Sequence, residues 1–355
     1  MKLKDKIKVY NLITFLLLSV MGTANALSLK ETLGKSLYFD ENLSEPNGQA
    51  CASCHLPSAG FADPDQNLPV SEGVIAGRFG SRNSPTASYA MFSPTFTLKG
   101  GVSGGQFWDG RAATLEEQAK GPFLNPVEMN NPDKATVIRD VAASSYAADF
   151  EAVYGPNAFA DVELAYNNIA DAIATYERSI EVNPFTSKYD EVKAGRANFT
   201  IQEEEGFNLF TGRGKCAHCH SLGSGKNPDV FSDFSYHNIG LPRNTEFPFS
   251  LNPEAPADLG LGGELNNTKY NGQFKTSHLR NIAVTAPFMH NGILKTLKEV
   301  VHFYNTRDVP GVWDAPEVPD NLDGKFLGDL GLTDAEEDAI VSFMQTLTDG
   351  YAPAP

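Results

Sequence analysis

Two pentapeptides decide the fold of this chain: CASCH at residues 51–55 and CAHCH at residues 216–220. Each contains two cysteines three positions apart, and a histidine directly follows the second cysteine, which is the attachment pattern of c-type haem. The thiols form thioethers with the haem vinyl groups, and the adjacent histidine then lies under the ring and ligates the iron. We therefore expect two covalently bound haems. The residues that bind them are Cys51, Cys54, His55, Cys216, Cys219 and His220.

The pentapeptides contain all four cysteines of the chain. Two disulfides or a structural zinc site are the alternatives, because exported proteins form disulfides and paired cysteines bind zinc. The two pairs lie much farther apart than the roughly 15–20 residues of a zinc ribbon. The histidine that follows each pair favours haem attachment, which accounts for every cysteine.

The N-terminus predicts export. Four lysines occur among the first eight residues, followed by an apolar stretch from Leu12 to Met21 and by Ala24-Asn25-Ala26. This is the pattern of a secretory signal peptide at residues 1–26, with cleavage near Ala26 and a periplasmic mature protein. An uncleaved anchor is the alternative. No later stretch reaches the roughly 20 apolar residues of a membrane-spanning helix, so we expect no membrane contact after cleavage.

The formal net charge of -16 indicates the class of partner. Such an acidic chain repels nucleic acid and favours a protein partner with a basic docking face. A hydrophobic content of 41% is sufficient for a core, while 31 glycines and 22 prolines predict many loops.

A repeated pattern around the pentapeptides predicts two domains. LKETLGKSLYFD at 29–40 and IQEEEGFNLFTG at 201–212 each place apolar residues at helical spacing before a haem motif. Further helices are expected after an Asp161 cap and between Thr333 and a stop at Gly350. The expected fold class is mainly α, with two cytochrome-c-like haem domains and long ordered loops. The predicted domains are 27–190 and 191–355, with a boundary near 185–200.

The distribution of histidines suggests that the first haem has an open coordination position. The chain has seven histidines, and none lies between His55 and His218. The nearby methionines are Met91 and Met129. If neither ligates the first iron, that iron is five-coordinate and accessible to peroxide or oxygen.

The chain resembles a known family, the bacterial di-haem cytochrome c peroxidases together with the related methylamine-utilisation enzyme MauG. The resemblance covers essentially the whole mature chain and depends on the order of several blocks. They are GSRNSPT at 80–86, QFWDGRAATLEEQAKGPFLNPVEM at 106–129, FKTSHLRNIAVTAPFMHNG at 274–292 and the two haem motifs. The resemblance implies two cytochrome c domains with a calcium ion between them, and reaction with hydrogen peroxide at the N-terminal haem.

The resemblance also implies roles for individual residues. Trp108 matches the residue between the two haems, where an indole relays electrons or shares an oxidising hole. Gln118 and Glu128 match the polar pair over the peroxide-binding iron, and Pro122 matches a residue of the same distal pocket. A carboxyl such as that of Glu128 can move a proton between the two oxygens of peroxide. The implied calcium ligands, all oxygen donors as a hard cation requires, are Asn83, Thr285 and Pro287.

Two departures from the peroxidase pattern favour the MauG-like branch. Many family peroxidases carry a histidine that ligates the oxidised first haem, whereas here Ser71 falls near that position. At the second haem, the sixth-ligand position lies fourteen residues after the residue matched by His290, and it is Tyr304. Peroxidases have methionine there and MauG has tyrosine, a hard anionic donor that lowers the iron's reduction potential. Met289 is expected to pack in the core, and His302, two positions from Tyr304 on a predicted helix, to face elsewhere.

Three functions remain open. The first is MauG-like, peroxide-dependent oxidation of a protein residue or another donor. MauG passes the hole through a surface tryptophan before its second haem motif, but Gly214 occupies that place here. The second is a cytochrome c peroxidase supplied with electrons by a small cytochrome or cupredoxin, and the third is a non-catalytic electron carrier.

Overall fold

The computed structural model describes residues 26–223 and 228–352 and is mainly helical over these ranges. Its sheet is small, pairing Tyr236–His237 antiparallel to Phe274–Lys275. The predicted signal peptide lies outside the described residues except for its last position. Within the described part, no helix has both the length and the apolar character needed to cross a membrane.

Among the described residues, the N-terminal half of the chain contains seven α-helices. They are α1 (Leu29–Tyr38), α2 (Cys51–Cys54), α3 (Leu115–Ala119), α4 (Gly121–Leu124), α5 (Lys134–Ala142), α6 (Ala147–Tyr154) and α7 (Val162–Glu177). Helix α1 packs against α7. The contact requires Gly34, because a Cβ there would overlap the carbonyl oxygen of Ala172.

Five further helices follow. They are α8 (Lys188–Lys193), α9 (Ile201–Thr211), α10 (Leu261–Glu264), α11 (Leu297–Thr306) and α12 (Asp334–Gln345). Helix α9 packs against α12 as α1 packs against α7. This contact requires Gly206, as the other requires Gly34, because a Cβ at position 206 would overlap the carbonyl oxygen of Ala339. In both halves, the helix before a haem motif is thus held against a later helix by a glycine contact.

The buried apolar side chains form two large clusters. One contains residues between positions 33 and 182, and the other residues between positions 189 and 347. A smaller cluster of Tyr89, Val230 and Phe234 joins segments from both halves. The domain boundary near residues 185–200 remains a prediction.

The capping residues predicted from sequence start their helices, but one predicted helix end is wrong. The Asp161 carboxylate accepts from the backbone N–H of Leu164 at 2.8 Å, and Thr333 forms a capping box with Glu336. Helix α12 ends at Gln345 rather than near Gly350. Beyond it, the Asp349 carboxylate accepts from the backbone N–H of Thr186 at 2.9 Å, so the residues before Gly350 contact the start of the second half instead of continuing the helix.

Candidate haem-binding sites

The first haem motif presents its histidine in the form that ligates iron. Cys51 and Cys54 begin and end α2, and His55 directly follows it. The imidazole Nδ1 of His55 lies 3.3 Å from the carbonyl oxygen of Phe61. Donation of the Nδ1 proton to that carbonyl leaves Nε2 free for a metal. Burial lowers the pKa of His55, which keeps the imidazole neutral.

The second motif repeats this arrangement. The Nδ1 of His220 lies 3.0 Å from the carbonyl oxygen of Phe231. Burial lowers the pKa of His220, as it does for His55. None of the four cysteines is in a disulfide, so all the thiols are available for thioether bonds. The residues of both motifs therefore fit covalent haem.

A large cavity beside the second motif brings together several residues that are distant in sequence. Its lining residues that matched the family pattern are Asn83, Trp108, Cys216, Cys219, His220, Thr285, Pro287, Met289, His290 and Tyr304. Buried nitrogens there without a hydrogen-bond partner among the described residues include His290 Nε2 and both ring nitrogens of His278. A mainly apolar cavity with such nitrogens at its edge fits a haem with polar carboxylate groups.

Tyr304 lies on the side of the cavity that carries the second motif. Burial raises the pKa of its phenol, and the nearby thiols of Cys219 and Cys216 raise it further. Such a phenol loses its proton only to a strong cation, and ferric iron is one. Among the described residues, the Tyr304 hydroxyl has no hydrogen-bond partner. Tyr304 is thus positioned toward the haem attachment residues.

The other candidate ligands of this segment have different surroundings. His290 stacks on the ring of Phe274 with centroids 3.6 Å apart. Burial lowers the pKa of His290 to about 3, and the charged side chains that act on it are Asp258 and Arg82. His302 points away, with Nδ1 2.9 Å from a carboxylate oxygen of Glu337. Met289 also lines the cavity. A position on the cavity surface therefore does not by itself distinguish Met289 from Tyr304 as the iron ligand.

Trp108 is held by backbone contacts on two sides. Its indole Nε1–H donates to the carbonyl oxygen of Asn83 at 2.8 Å, and its own carbonyl accepts from the N–H of Lys275 at 2.8 Å. These partners belong to different halves of the chain. Trp108 therefore contacts both halves of the chain, and its position between the two haems remains a prediction.

The predicted calcium ligands line the same cavity. The side-chain amide nitrogen of Asn83 donates to the carbonyl oxygen of Pro69 at 3.1 Å, which leaves its amide oxygen available. The described residues contain no cluster of three His, Cys, Asp or Glu suited to a metal. A calcium ion here would depend on amide and carbonyl oxygens of the kind that Asn83, Thr285 and Pro287 supply. These ligands remain a prediction.

The predicted peroxide-site residues lie on the first half of the chain and do not line this cavity. Burial raises the pKa of Glu128, whereas Arg111 and a hydrogen bond from Asn125 lower it. The Glu128 carboxylate in turn raises the pKa of the Cys51 and Cys54 thiols, so it lies near the first motif.

Two neighbours of Glu128 on helices α3 and α4 complete the predicted group. Gln118 and Pro122 are half-buried on these consecutive helices. The carbonyl oxygen of Pro122 accepts from the N–H of Met129 at 3.2 Å, which ties α4 to the turn that carries Glu128. Met129 itself is a core residue, only 3% exposed. The roles of Gln118, Pro122 and Glu128 remain predictions.

Ser71 occupies a hydrogen-bonded position beside the first motif. Its hydroxyl binds the Asp63 carboxylate and lies 2.6 Å from the hydroxyl of Ser84. Burial raises the pKa of the Cys54 thiol, and a hydrogen bond from Ser71 partly offsets this, which places the two side chains close together. No nitrogen ligand is available from this side chain, and Asp63 and Ser84 hold it in place.

Sequence patterns missed the charged residues of the cavity, among them Lys275. Lys275 follows Phe274 in the short sheet, and the residue lines the cavity. Lys275 lies in the block 274–292 that resembles the family, and this could have indicated a role for it. A lysine in an edge strand, however, usually faces solvent.

Comparison with known proteins agrees with this geometry. A family model described as di-haem cytochrome c peroxidase matches residues 28–198. Methylamine utilization protein MauG of Paracoccus denitrificans is 38% identical over 349 residues, covering 89% of this chain and 88% of that protein. Cytochrome c551 peroxidase of Nitrosomonas europaea is 35% identical over 272 residues, covering 76% of this chain and 70% of that protein. The crystal structure of the diheme peroxidase BthA from Burkholderia thailandensis matches with a TM-score of 0.80 and 34% identity, covering 90% of this chain and 86% of that one.

Proposed function

Since this chain belongs to the family of di-haem cytochrome c peroxidases and MauG, and is thus a peroxidase-type oxidoreductase, we propose that it is the MauG-like variant. In this proposal the protein is periplasmic, with haem domains at 27–190 and 191–355 and calcium between them. It reacts with hydrogen peroxide at the N-terminal haem and oxidises a protein residue or another donor. The observation that carries the proposal is Tyr304, which lines the same cavity as Cys216 and Cys219.

In the N-terminal site, the side chains of the protein bind peroxide and transfer its proton. When bound, the haem iron supplies cleavage of the O–O bond and storage of the oxidising equivalents. Glu128 takes the proton from the near oxygen of peroxide and returns one to the leaving oxygen. Its partial burial suits this role, because the raised pKa lies closer to neutral pH than that of an exposed carboxyl. Gln118 orients peroxide, and Pro122 restricts the pocket.

Trp108 connects the two haem sites in this proposal. The indole N–H bonds to the carbonyl of Asn83, and the backbone carbonyl of Trp108 accepts from the N–H of Lys275, so the ring and its backbone are each held by a different half of the chain. A fixed aromatic ring between two redox centres shortens the distance that an electron must travel. Tyr304 as an anionic ligand then favours the oxidised state of the second iron.

A cytochrome c peroxidase supplied by a carrier protein is the second candidate function. The net charge of -16 favours a basic electron donor. A small basic cytochrome or cupredoxin would support rapid steady-state turnover under this alternative. Under the MauG-like function the carrier supports little turnover, and peroxide alone drives oxidation of a protein substrate.

The purified oxidised protein is expected to contain one high-spin haem and to react with peroxide without prior reduction. The reason is that the first half offers no second histidine and that Ser71 is bonded to Asp63 and Ser84. Electron paramagnetic resonance and stopped-flow absorption measure the two properties. A resting protein with two low-spin haems that reacts only after one-electron reduction would contradict the proposal.

Replacing Trp108 with phenylalanine is expected to abolish the response of the second haem to peroxide while the first site still reacts. Phenylalanine lacks the N–H that binds Asn83, and its ring is harder to oxidise. Stopped-flow spectra that resolve both haems test this. Trp313→Phe is the control, because Trp313 packs instead on Phe303 with centroids 5.2 Å apart. Equal second-haem responses in the two variants would remove Trp108 from the route.

A further inference from the structure

Lys275 is a cation on the cavity wall without an acidic partner. Its ammonium donates to the carbonyl oxygen of Gly105 and lies 3.4 Å from the hydroxyl of Ser93. Both partners are neutral. Among the ion pairs of the described residues, none includes Lys275, although the second haem motif lines the same cavity.

The acidic group that acts on Lys275 is already paired with other cations. Asp109 binds Arg82 at 2.5 Å and Arg111 at 2.9 Å, and it has only a secondary influence on the pKa of Lys275. Burial lowers the pKa of Lys275 to about 7, because the charged form lacks both water and a counter-ion. Buried charges are normally paired, so this lysine fits an anion that the protein chain itself does not supply.

A haem carries two propionate carboxylates, and the surrounding residues favour one of them at this wall. His278 lines the same cavity with both ring nitrogens unpaired among the described residues. The first motif does not line it. We propose that Lys275 binds a propionate carboxylate of the haem attached at Cys216 and Cys219.

The contact between Lys275 and the propionate would place the edge of the second haem next to the segment that contains Trp108. The N–H of Lys275 donates to the Trp108 carbonyl at 2.8 Å, and its ammonium reaches the Gly105 carbonyl three residues earlier in the same segment. A propionate held by Lys275 therefore lies beside the segment that positions Trp108. Lys275 is a positioning residue, since it orients the second haem and adds a positive charge at its edge.

Replacing Lys275 with glutamine tests the proposal. Glutamine keeps a donor for the Gly105 carbonyl but removes the charge, so the oxidised haem is favoured and the midpoint potential of the second haem shifts downward. Spectroelectrochemical titration of the di-haem protein measures both potentials. Lys275→Arg is expected to retain the native value. Lys99→Gln, in an exposed loop, is the control.

The outcomes separate this proposal from the proposed function on which it rests. Equal second-haem potentials in Lys275→Gln and Lys99→Gln, or a shift confined to the first haem, would overturn the propionate contact. A downward shift of the second haem supports it even if no protein substrate is oxidised, because the titration contains no peroxide. Haem content, measured on the denatured variants, shows whether each contains both haems before potentials are compared.

Discussion

Replacing Glu128 with glutamine is expected to slow peroxide cleavage at the N-terminal haem by about 10²–10⁴-fold, the usual loss for a positioned proton-transfer group. Glutamine preserves the size of the side chain but can neither take nor return the proton. Stopped-flow absorption of the first haem after mixing with peroxide measures the rate. Glu117→Gln is the matched control, because Glu117 is an exposed carboxylate of the same block and pairs with Lys120 at the surface.

The pH dependence of this rate provides a second test of Glu128. Burial raises the pKa of the carboxyl, and only the ionised form accepts the peroxide proton. The native rate should therefore fall as pH decreases through this raised pKa, at a higher pH than for an exposed glutamate. In the Glu128→Gln variant, the rate should no longer fall as the pH decreases over this range. A native-like rate and profile in the variant would mean that another group moves the proton.

Replacing Tyr304 with methionine is expected to raise the potential of the second haem, by on the order of 0.1 V or more within the about 0.8 V that axial ligands span. Methionine is a neutral, soft donor that stabilises the reduced iron, whereas tyrosinate stabilises the oxidised iron. The variant should gain turnover with a small cytochrome donor and lose oxidation of protein substrates. Spectroelectrochemical titration measures the potential.

Met289→Leu is the control for this substitution, because Met289 lines the same cavity as Tyr304. Leucine fills a similar volume without sulfur, so the spectrum of the second haem should remain native. Two results together would reassign the ligand: loss of a methionine-to-iron band in Met289→Leu, and a native spectrum in Tyr304→Phe. The chain would then be grouped with peroxidases that receive electrons from a carrier.

Local chemistry made part of this protein predictable from the sequence. Each haem motif places thiols and imidazole within five consecutive residues, so attachment does not depend on distant parts of the chain. Helix starts follow the same principle, because the hydroxyl of Thr333 or the carboxylate of Asp161 binds a backbone N–H three residues later. The absence of histidine from residues 56–217 is likewise a property of the sequence.

Contacts between distant residues decided the rest. Met289, His290 and Tyr304 all line one cavity, and only the folded chain places the Tyr304 phenol beside Cys216 and Cys219 while His290 stacks on Phe274. Helix α12 ends at Gln345, and Asp349 binds Thr186, a contact that no helical pattern indicates. Lys275 is an ordinary strand lysine in sequence. Burial in a cavity without an acidic partner gives it a role, because a charge removed from water requires a counter-ion, and folding alone determines which groups are near enough to supply one.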